Sequence, residues 1–341
     1  MAVNDILPAL FNFFVAALLI IFVFAASHKS DRLYMLMTAF IMKKRGMPVP
    51  AAQGSGFRTM FRSQVSVPGC ALTGMAVCAP ALAVASLVTL CAGLPYCTFV
   101  PITDGGADII QMAQLFLLSE AFAVAAFCSL GTKDGLDHAA AETRDVIKLL
   151  FALTAAVASL ASFFVKNGAD RDPFSISSFS VVGRFSTMSL YGITGAFLFA
   201  FVILSQLPGK GAAFSESLLG EDDLPDFGGA PRALLLLWSS ARSFIIISVV
   251  VFVFFPYNLV DNIGEGAGFA WYGQAINFAA FWLAVLLFRI AVVPFCQLSM
   301  AFIERKVPAK LSAAVMPLLV AAAMLLLWYE EALLIEEAAV F

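Results

Sequence analysis

The sequence predicts an all-α, polytopic membrane protein with about eight transmembrane helices. Three observations carry that reading. Hydrophobic residues make up 61 % of the 341 positions and charged residues only 13 %, whereas a soluble domain carries about a quarter of charged residues. The mean hydropathy is +0.93, so the solvent of most of this chain is lipid. The apolar runs are roughly 20 residues long and do not alternate, which fits helices and excludes barrel strands. In lipid every backbone N–H and C=O must be satisfied internally, and uninterrupted helices achieve that.

The expected spans are 6–26, 67–92, 106–131, 147–165, 186–206, 234–256, 275–300 and 312–328. No Lys or Arg precedes the first run, Ile6 to Ala26, and Lys29 and Arg32 follow it. That charge order reads as a retained span with its N-terminus outside, not as a signal peptide. The second span contains Pro80, and the third carries Glu120 at its middle. The sixth carries Arg242 and the seventh Arg289. An acidic tail with Glu330, Glu331, Glu336 and Glu337 follows the eighth.

Lys and Arg are unevenly placed. Of the 20, fifteen lie in or at the edge of the odd-numbered loops, three in the fourth loop, and two inside spans. The positive-inside rule then puts the odd loops in the cytoplasm and both termini outside. The chain reads as one transmembrane helical domain, 1–341, with two long cytoplasmic loops, 27–65 and 207–233, as docking surfaces. The first mixes Arg32, Lys43, Lys44, Arg45, Arg58 and Arg62 with Leu33, Met35, Met37, Phe40 and Ile41, a pattern that suits a short helix on the membrane face. The second carries Glu216, Glu221, Asp222, Asp223 and Asp226 among Gly and Pro. It reads equally as a solvated acidic loop or as a docking surface. In the third loop His138, beside Asp134 and Asp137, is expected to be a solvated loop residue rather than a proton carrier.

Charges at membrane depth cost several kcal/mol unless paired or wetted. Glu120, Arg242 and Arg289 therefore read as a hydrated polar line that carries protons, as a buried Arg–Glu pairing that fixes helix packing, or, for Arg242 near a cytoplasmic helix end, as a cation that snorkels to the interface. A net charge of −3 gives no reason to expect a nucleic-acid partner. The six Cys show no CxxC, and two His are too few for a Cys/His metal site. Cys91 and Cys97 flank one outer helix end, either as thiols or as a disulfide. No Walker A, dinucleotide fingerprint, nucleophile elbow or HExxH is present. No catalytic, cofactor-binding or metal-ligating residue is expected in this chain, and any reaction centre belongs to a partner.

Several short segments match one family in order. They are Arg45-Gly46-Met47-Pro48-Val49-Pro50-Ala51-Ala52-Gln53, then Pro68, Ala79-Pro80-Ala81-Leu82-Ala83 and Leu94-Pro95. Gly106-Ala107-Asp108 opens the third span, and Leu130-Gly131-Thr132 with Arg144-Asp145 precedes the fourth. Asp226-Phe227-Gly228-Gly229 closes the fifth loop, Pro256 ends the sixth span, and Lys306-Val307-Pro308 precedes the last. The chain resembles the family of complex I subunit 1, in its branch of membrane-bound, energy-converting [NiFe] hydrogenases and formate hydrogenlyases.

The resemblance implies a non-catalytic membrane anchor and coupling subunit of a prokaryotic cytoplasmic-membrane oxidoreductase complex. Its implied partners are hydrogenase-like large and small subunits, an iron–sulfur protein of a peripheral arm, antiporter-like membrane subunits and the lipid bilayer. Iron–sulfur clusters, and a [NiFe] centre where the arm keeps hydrogen chemistry, would sit in those partners. Arg45, Gln53, Arg58, Arg62, Glu216 and Asp226 are the implied docking residues. Glu120, Arg144, Asp145, Arg242 and Arg289 are the implied intramembrane charge path. The chain departs from the family at Phe57, Met60, Leu153, the stretch 205–212 and Gln297, where acidic or basic residues are expected. Cationic positions survive while several carboxylates are lost, so the scaffold role is better supported than a proton path. Two alternatives stay open: a quinone-pocket subunit of a complex I-like oxidoreductase, and a stand-alone secondary transporter.

Overall fold

The computed structural model describes residues 17–30, 71–93, 109–166, 190–207, 228–254 and 270–340, with isolated positions between 33 and 69. Among these residues the secondary structure is helical and contains no strand. In chain order the helices are α1 (Ala17–Ser30), α2 (Thr73–Gly93), α3 (Ile109–Ser129), α4 (Lys133–Lys166), α5 (Leu190–Ser205), α6 (Ala230–Phe254) and α7 (Ala270–Leu287). A π-helical segment (Phe288–Val292) joins α7 to α8 (Val293–Lys306), and α9 (Ala309–Val340) follows. Described helix overlaps each expected segment, with bounds that differ by several residues at most of them. Among the described residues, four stretches are long and apolar enough to cross a bilayer: Thr73–Ala92, Ile109–Ser129, Ala230–Phe254 and Ile276–Ile303. Ala17–Ser30, Leu190–Ser205 and Ala314–Glu330 are shorter apolar helices.

Three helices depart from the hydropathy reading. α4 starts at Lys133, so the expected third loop is helix. Its start is well specified: Thr132 Oγ1 accepts the N–H of Gly135 at 3.1 Å, and Asp134 sits in the first turn, where the helix dipole favours an acid. Hydropathy misses this stretch because helix propensity, carried by Ala139, Ala140, Ala141 and Glu142, does not depend on apolarity. The seventh segment is interrupted at 288–292, where Val293 N–H donates to Phe288 O, five residues back. Pro294 follows directly; it has no N–H and its ring clashes with the carbonyl four residues earlier. A π turn accommodates both defects. α9 runs on through the acidic tail to Val340, twelve residues past the expected end, and Glu330 is buried.

The chain divides into two compact units. The first comprises Met1–Tyr96, Val100–Val146 and Pro208–Ile245. Within it, Leu72 N–H donates to Ser129 O at 2.8 Å, pinning the start of α2 to the end of α3. Gly131, at φ 65°, turns the chain from α3 into α4, a left-handed conformation that costs a residue with a Cβ about 1 kcal/mol or more. A Cβ at Gly135 would lie 2.8 Å from Phe127 O, so the two helices meet closely at this corner. Ala76, Ala79, Ala126, Phe127, Leu130, Ala139 and Leu235 pack there as a core from α2, α3, α4 and α6.

The second unit comprises Cys97–Phe99, Ile147–Leu207 and Ile246–Phe341. Its main packing is α5 against α9. A Cβ on Gly195 would lie 3.1 Å from Ala323 O and 3.2 Å from Leu326 Cβ. Small residues let apolar helices approach where no hydrophobic force between them exists in lipid. Gly192 N–H, in the first turn of α5, donates to Glu330 Oε2 at 3.3 Å, and Tyr191 meets Tyr329 edge-on at 5.1 Å. The acid thus satisfies a helix N-terminus that has no intrahelical acceptor.

Gly195→Leu is expected to destabilise the protein by about 1–3 kcal/mol through overpacking. Gly74→Ala, with open space around the added carbon, is the control and is expected to change little. Denaturant titration of the purified full chain in micelles checks both.

Candidate functional site

Most of α6 is apolar, yet its middle reads Trp238-Ser239-Ser240-Ala241-Arg242-Ser243. Four residues separate Trp238 from Arg242, which puts them on one helix face. The guanidinium carbon of Arg242 lies 4.2 Å from the centroid of the Trp238 ring, a cation–π contact strengthened by the absence of water. Trp238 Nε1 donates to Ser119 Oγ at 2.8 Å, and Ser119 Oγ donates to Ala83 O at 2.9 Å. One hydrogen-bonded line therefore runs from α6 through α3 to α2.

The adjacent residue on α3 provides the first counter-charge. Arg242 Nη1 donates to Glu120 Oε2 at 2.6 Å. The same Nη1 also donates to Glu142 Oε1, from α4. Two carboxylates on different helices thus share one nitrogen of one guanidinium. The side chains of Arg242 and Glu120 are 1 % and 3 % exposed, and that of Glu142 is 14 % exposed. Among the described residues, Glu120 Oε1 and Arg242 Nε are buried without a hydrogen-bond partner. All of these groups lie in the first unit.

Arg stays charged under all ordinary conditions. The three side chains therefore carry a formal charge of −1 with both acids ionised and of zero with one acid protonated. The cluster can hold three helices together electrostatically, and it offers a carboxyl oxygen that can take or give a proton.

The expected charge-path residues separate in the structure. Glu120 and Arg242 are brought together. Arg144 is exposed on α4, and Asp145 is half-buried one position further on. Arg289 is buried at 2 % exposure in the π segment, within the second unit. The expected docking residues Arg45, Gln53, Arg58, Arg62, Glu216 and Asp226 lie outside the described residues. His138 is not in a loop: it is half-buried on α4, its ring centroid 5.9 Å from that of Phe127. Cys91 is buried, and Cys97 lies outside the described residues.

Glu142, Trp238 and Ser119 were not legible as site residues. The available signals were positional. Trp238 sits one helical turn before an intramembrane Arg, Ser119 adjoins an intramembrane Glu, and Glu142 follows a helix-forming Ala run.

No family model and no curated protein matches this chain. Solved structures do match it. One is a chain in the structure of the membrane-bound sulfane sulfur reductase (MBS), an archaeal respiratory membrane complex, at a TM-score of 0.58 and 15 % identity. The likeness covers 93 % of this chain and 99 % of that one, so the two share a fold nearly end to end.

Removing the guanidinium leaves two carboxylates uncompensated in the bundle. Arg242→Ala is expected to cost about 3–5 kcal/mol. The triple change Arg242→Met, Glu120→Gln, Glu142→Gln is expected to recover most of that loss, because no charge is left unpaired. Unfolding of the purified chain in mixed micelles measures both.

Proposed function

We propose that this chain is the membrane anchor and coupling subunit of an energy-converting respiratory complex related to complex I. The observation that carries the reading is the fold shared over 93 % of the chain with a chain of a respiratory membrane complex. The collinear family-like segments along the sequence support it. On this reading the chain crosses a prokaryotic cytoplasmic membrane eight times with both termini outside. The loops 27–65 and 207–233 face the cytoplasm and seat a peripheral arm.

The arm holds the iron–sulfur clusters, and a [NiFe] centre if its chemistry is that of a hydrogenase. The matched complex is a sulfane sulfur reductase, so the scaffold role is compatible with arms of different redox chemistry. Antiporter-like subunits occupy the membrane beside the anchor. Arg45, Arg58 and Arg62 meet acidic surfaces of the arm, and Gln53, Glu216 and Asp226 complete the contact. Electron transfer in the arm shifts charge next to Arg242 and Arg289 and biases the ion-translocating subunits.

The Glu120–Arg242–Glu142 cluster suits such coupling. It joins helices α3, α4 and α6 through one nitrogen atom, so a change in charge at either carboxylate alters the pull on all three. An interaction worth several kcal/mol in low dielectric is of the size that biases a two-state element.

Affinity purification of the tagged chain from its native membrane is expected to bring iron–sulfur and antiporter-like subunits with it. Changing Arg45, Arg58 and Arg62 together to Ala is expected to release the arm while the chain stays in the membrane. Isolation as a lone protein or homo-oligomer, or an arm retained after the triple change, would count against the reading.

A further inference from the structure

We propose that the corner between α8 and α9 is a binding site for one anionic phospholipid, with the lipid phosphate on Lys306 and an acyl chain along Phe302 and Phe295. Only the naming of the leaflet, the cytoplasmic one, rests on the orientation proposed above; the site itself does not.

The corner is short and basic. α8 ends at Lys306 and α9 begins at Ala309. Val307 between them is extended, at φ −84° and ψ 140°, the backbone that a following Pro favours. Val307 N–H donates to Ile303 O at 3.1 Å, and Leu311 N–H donates to Pro308 O at 2.7 Å, so hydrogen bonds hold both helix ends at the reversal. Arg305 and Lys306 are the last two residues of α8, and Lys310 is the second residue of α9. Glu304 is the one acid in this stretch, so the corner keeps a surplus of positive charge.

The Lys306 side chain ties that charge to an apolar face. Lys306 is exposed, and its Nζ lies 5.5 Å from the centroid of the Phe302 ring, within cation–π range. Four residues separate the two, which puts them on one face of α8, and Phe295 lies two turns before Phe302 on that face. Phe302 is 55 % exposed and Phe295 66 %. From Phe295 to Lys306 the helix rises about 16 Å, which is half of a hydrocarbon core of roughly 30 Å. That is the depth one leaflet's acyl chain fills.

The other end of α9 places the corner at the headgroups. Trp328 and Tyr329 are 64 % and 48 % exposed, and the Tyr191 ring packs on Tyr329. Exposed Trp and Tyr gather at the membrane–water interface. From Lys310 to Trp328 the helix rises about 27 Å, close to the thickness of the hydrocarbon core. The aromatic end marks one headgroup plane and the basic corner the opposite one. A compact ammonium binds phosphate as a point charge, and basic positions at this depth attract anionic lipid. An anionic phospholipid joins both complementary parts in one molecule. A soluble anion would leave the phenylalanine face uncovered, and a zwitterionic lipid would leave the surplus charge unmatched.

The test is native mass spectrometry of the full chain, with any partners it brings, released from micelles holding equal amounts of phosphatidylglycerol and phosphatidylcholine. The expected result is one retained lipid, with phosphatidylglycerol in excess. Lys306→Gln is expected to lower that excess about fivefold, the equivalent of one surface Lys attracted to an anionic leaflet, and Lys306→Arg to keep it. Both variants are expected to unfold at the temperature of the unaltered chain, since the side chain is exposed. Lys148→Gln removes an exposed cation of α4 and is expected to leave the excess unchanged. Equal retention of the two lipids, or equal losses in Lys306→Gln and Lys148→Gln, overturns the site. Release of the lipid by millimolar inorganic phosphate overturns the lipid as occupant and leaves a phosphate site. Carbodiimide cross-linking of Lys306 to a carboxylate of a co-purified subunit overturns it as well and gives the corner to a protein. None of these readouts needs the arm, so they stand or fall apart from the purification experiment.

Discussion

A guanidinium cannot be left alone in a lipid-embedded helix bundle, and the first unit of this protein is arranged around that constraint. Arg242 lies mid-helix in α6 at 1 % exposure. It retains its charge there because α3 delivers Glu120, α4 delivers Glu142 and the Trp238 ring covers one face of the cation. Each partner comes from a different place in the sequence. The pairing therefore fixes how three helices sit, and the Trp238–Ser119–Ala83 line extends the constraint to α2. Apolar packing in lipid discriminates weakly between helix registers, because lipid tails are as apolar as the side chains they replace. A buried ionic cluster discriminates strongly, since a slip of one residue leaves charge unpaired. That is a registry role, and it is also what makes the cluster responsive to charge.

The second unit solves the same problem by other means. Gly192 and Gly195 let α5 close on α9, and Glu330 reaches the first turn of α5 from a helix that the sequence ends too early. The π segment at 288–292 keeps α7 and α8 continuous past Pro294 and places Arg289 in the turn that widens. Breaks in helical regularity are where intramembrane chains position polar groups.

Apolar runs made the helices legible because a bilayer imposes length and composition directly on sequence. The intramembrane charges were legible for the same reason: Glu120 and Arg242 stand out against apolar neighbours. What hydropathy hides is helix outside the apolar runs. Residues 133–146 read as a loop because they are charged, yet they hold the N-cap, the Ala run and the acidic first turn of α4. Glu142 went unrecognised with them, and His138 was placed in solvent. Trp238 and Ser119 were hidden differently, since neither is unusual in a membrane helix and only the partner across the interface gives them a role. The tail acid Glu330 reads as a surface charge until α5 supplies the N–H it meets. The family-like segments pointed to the fold shared with a respiratory membrane complex through short matches that no single segment carries.

The central claim is that one nitrogen of Arg242 serves two carboxylates at once, so each can partly stand in for the other. A double-mutant cycle on Glu120→Gln and Glu142→Gln, read as unfolding free energy of the full chain in mixed micelles, tests it directly. Each single change leaves Arg242 one counter-charge, whereas the double change leaves it none. The double variant is expected to lose more than the sum of the singles, by about 0.5–3 kcal/mol. Additive losses would mean that the two acids do not share the guanidinium, and the account of this unit would fail with them.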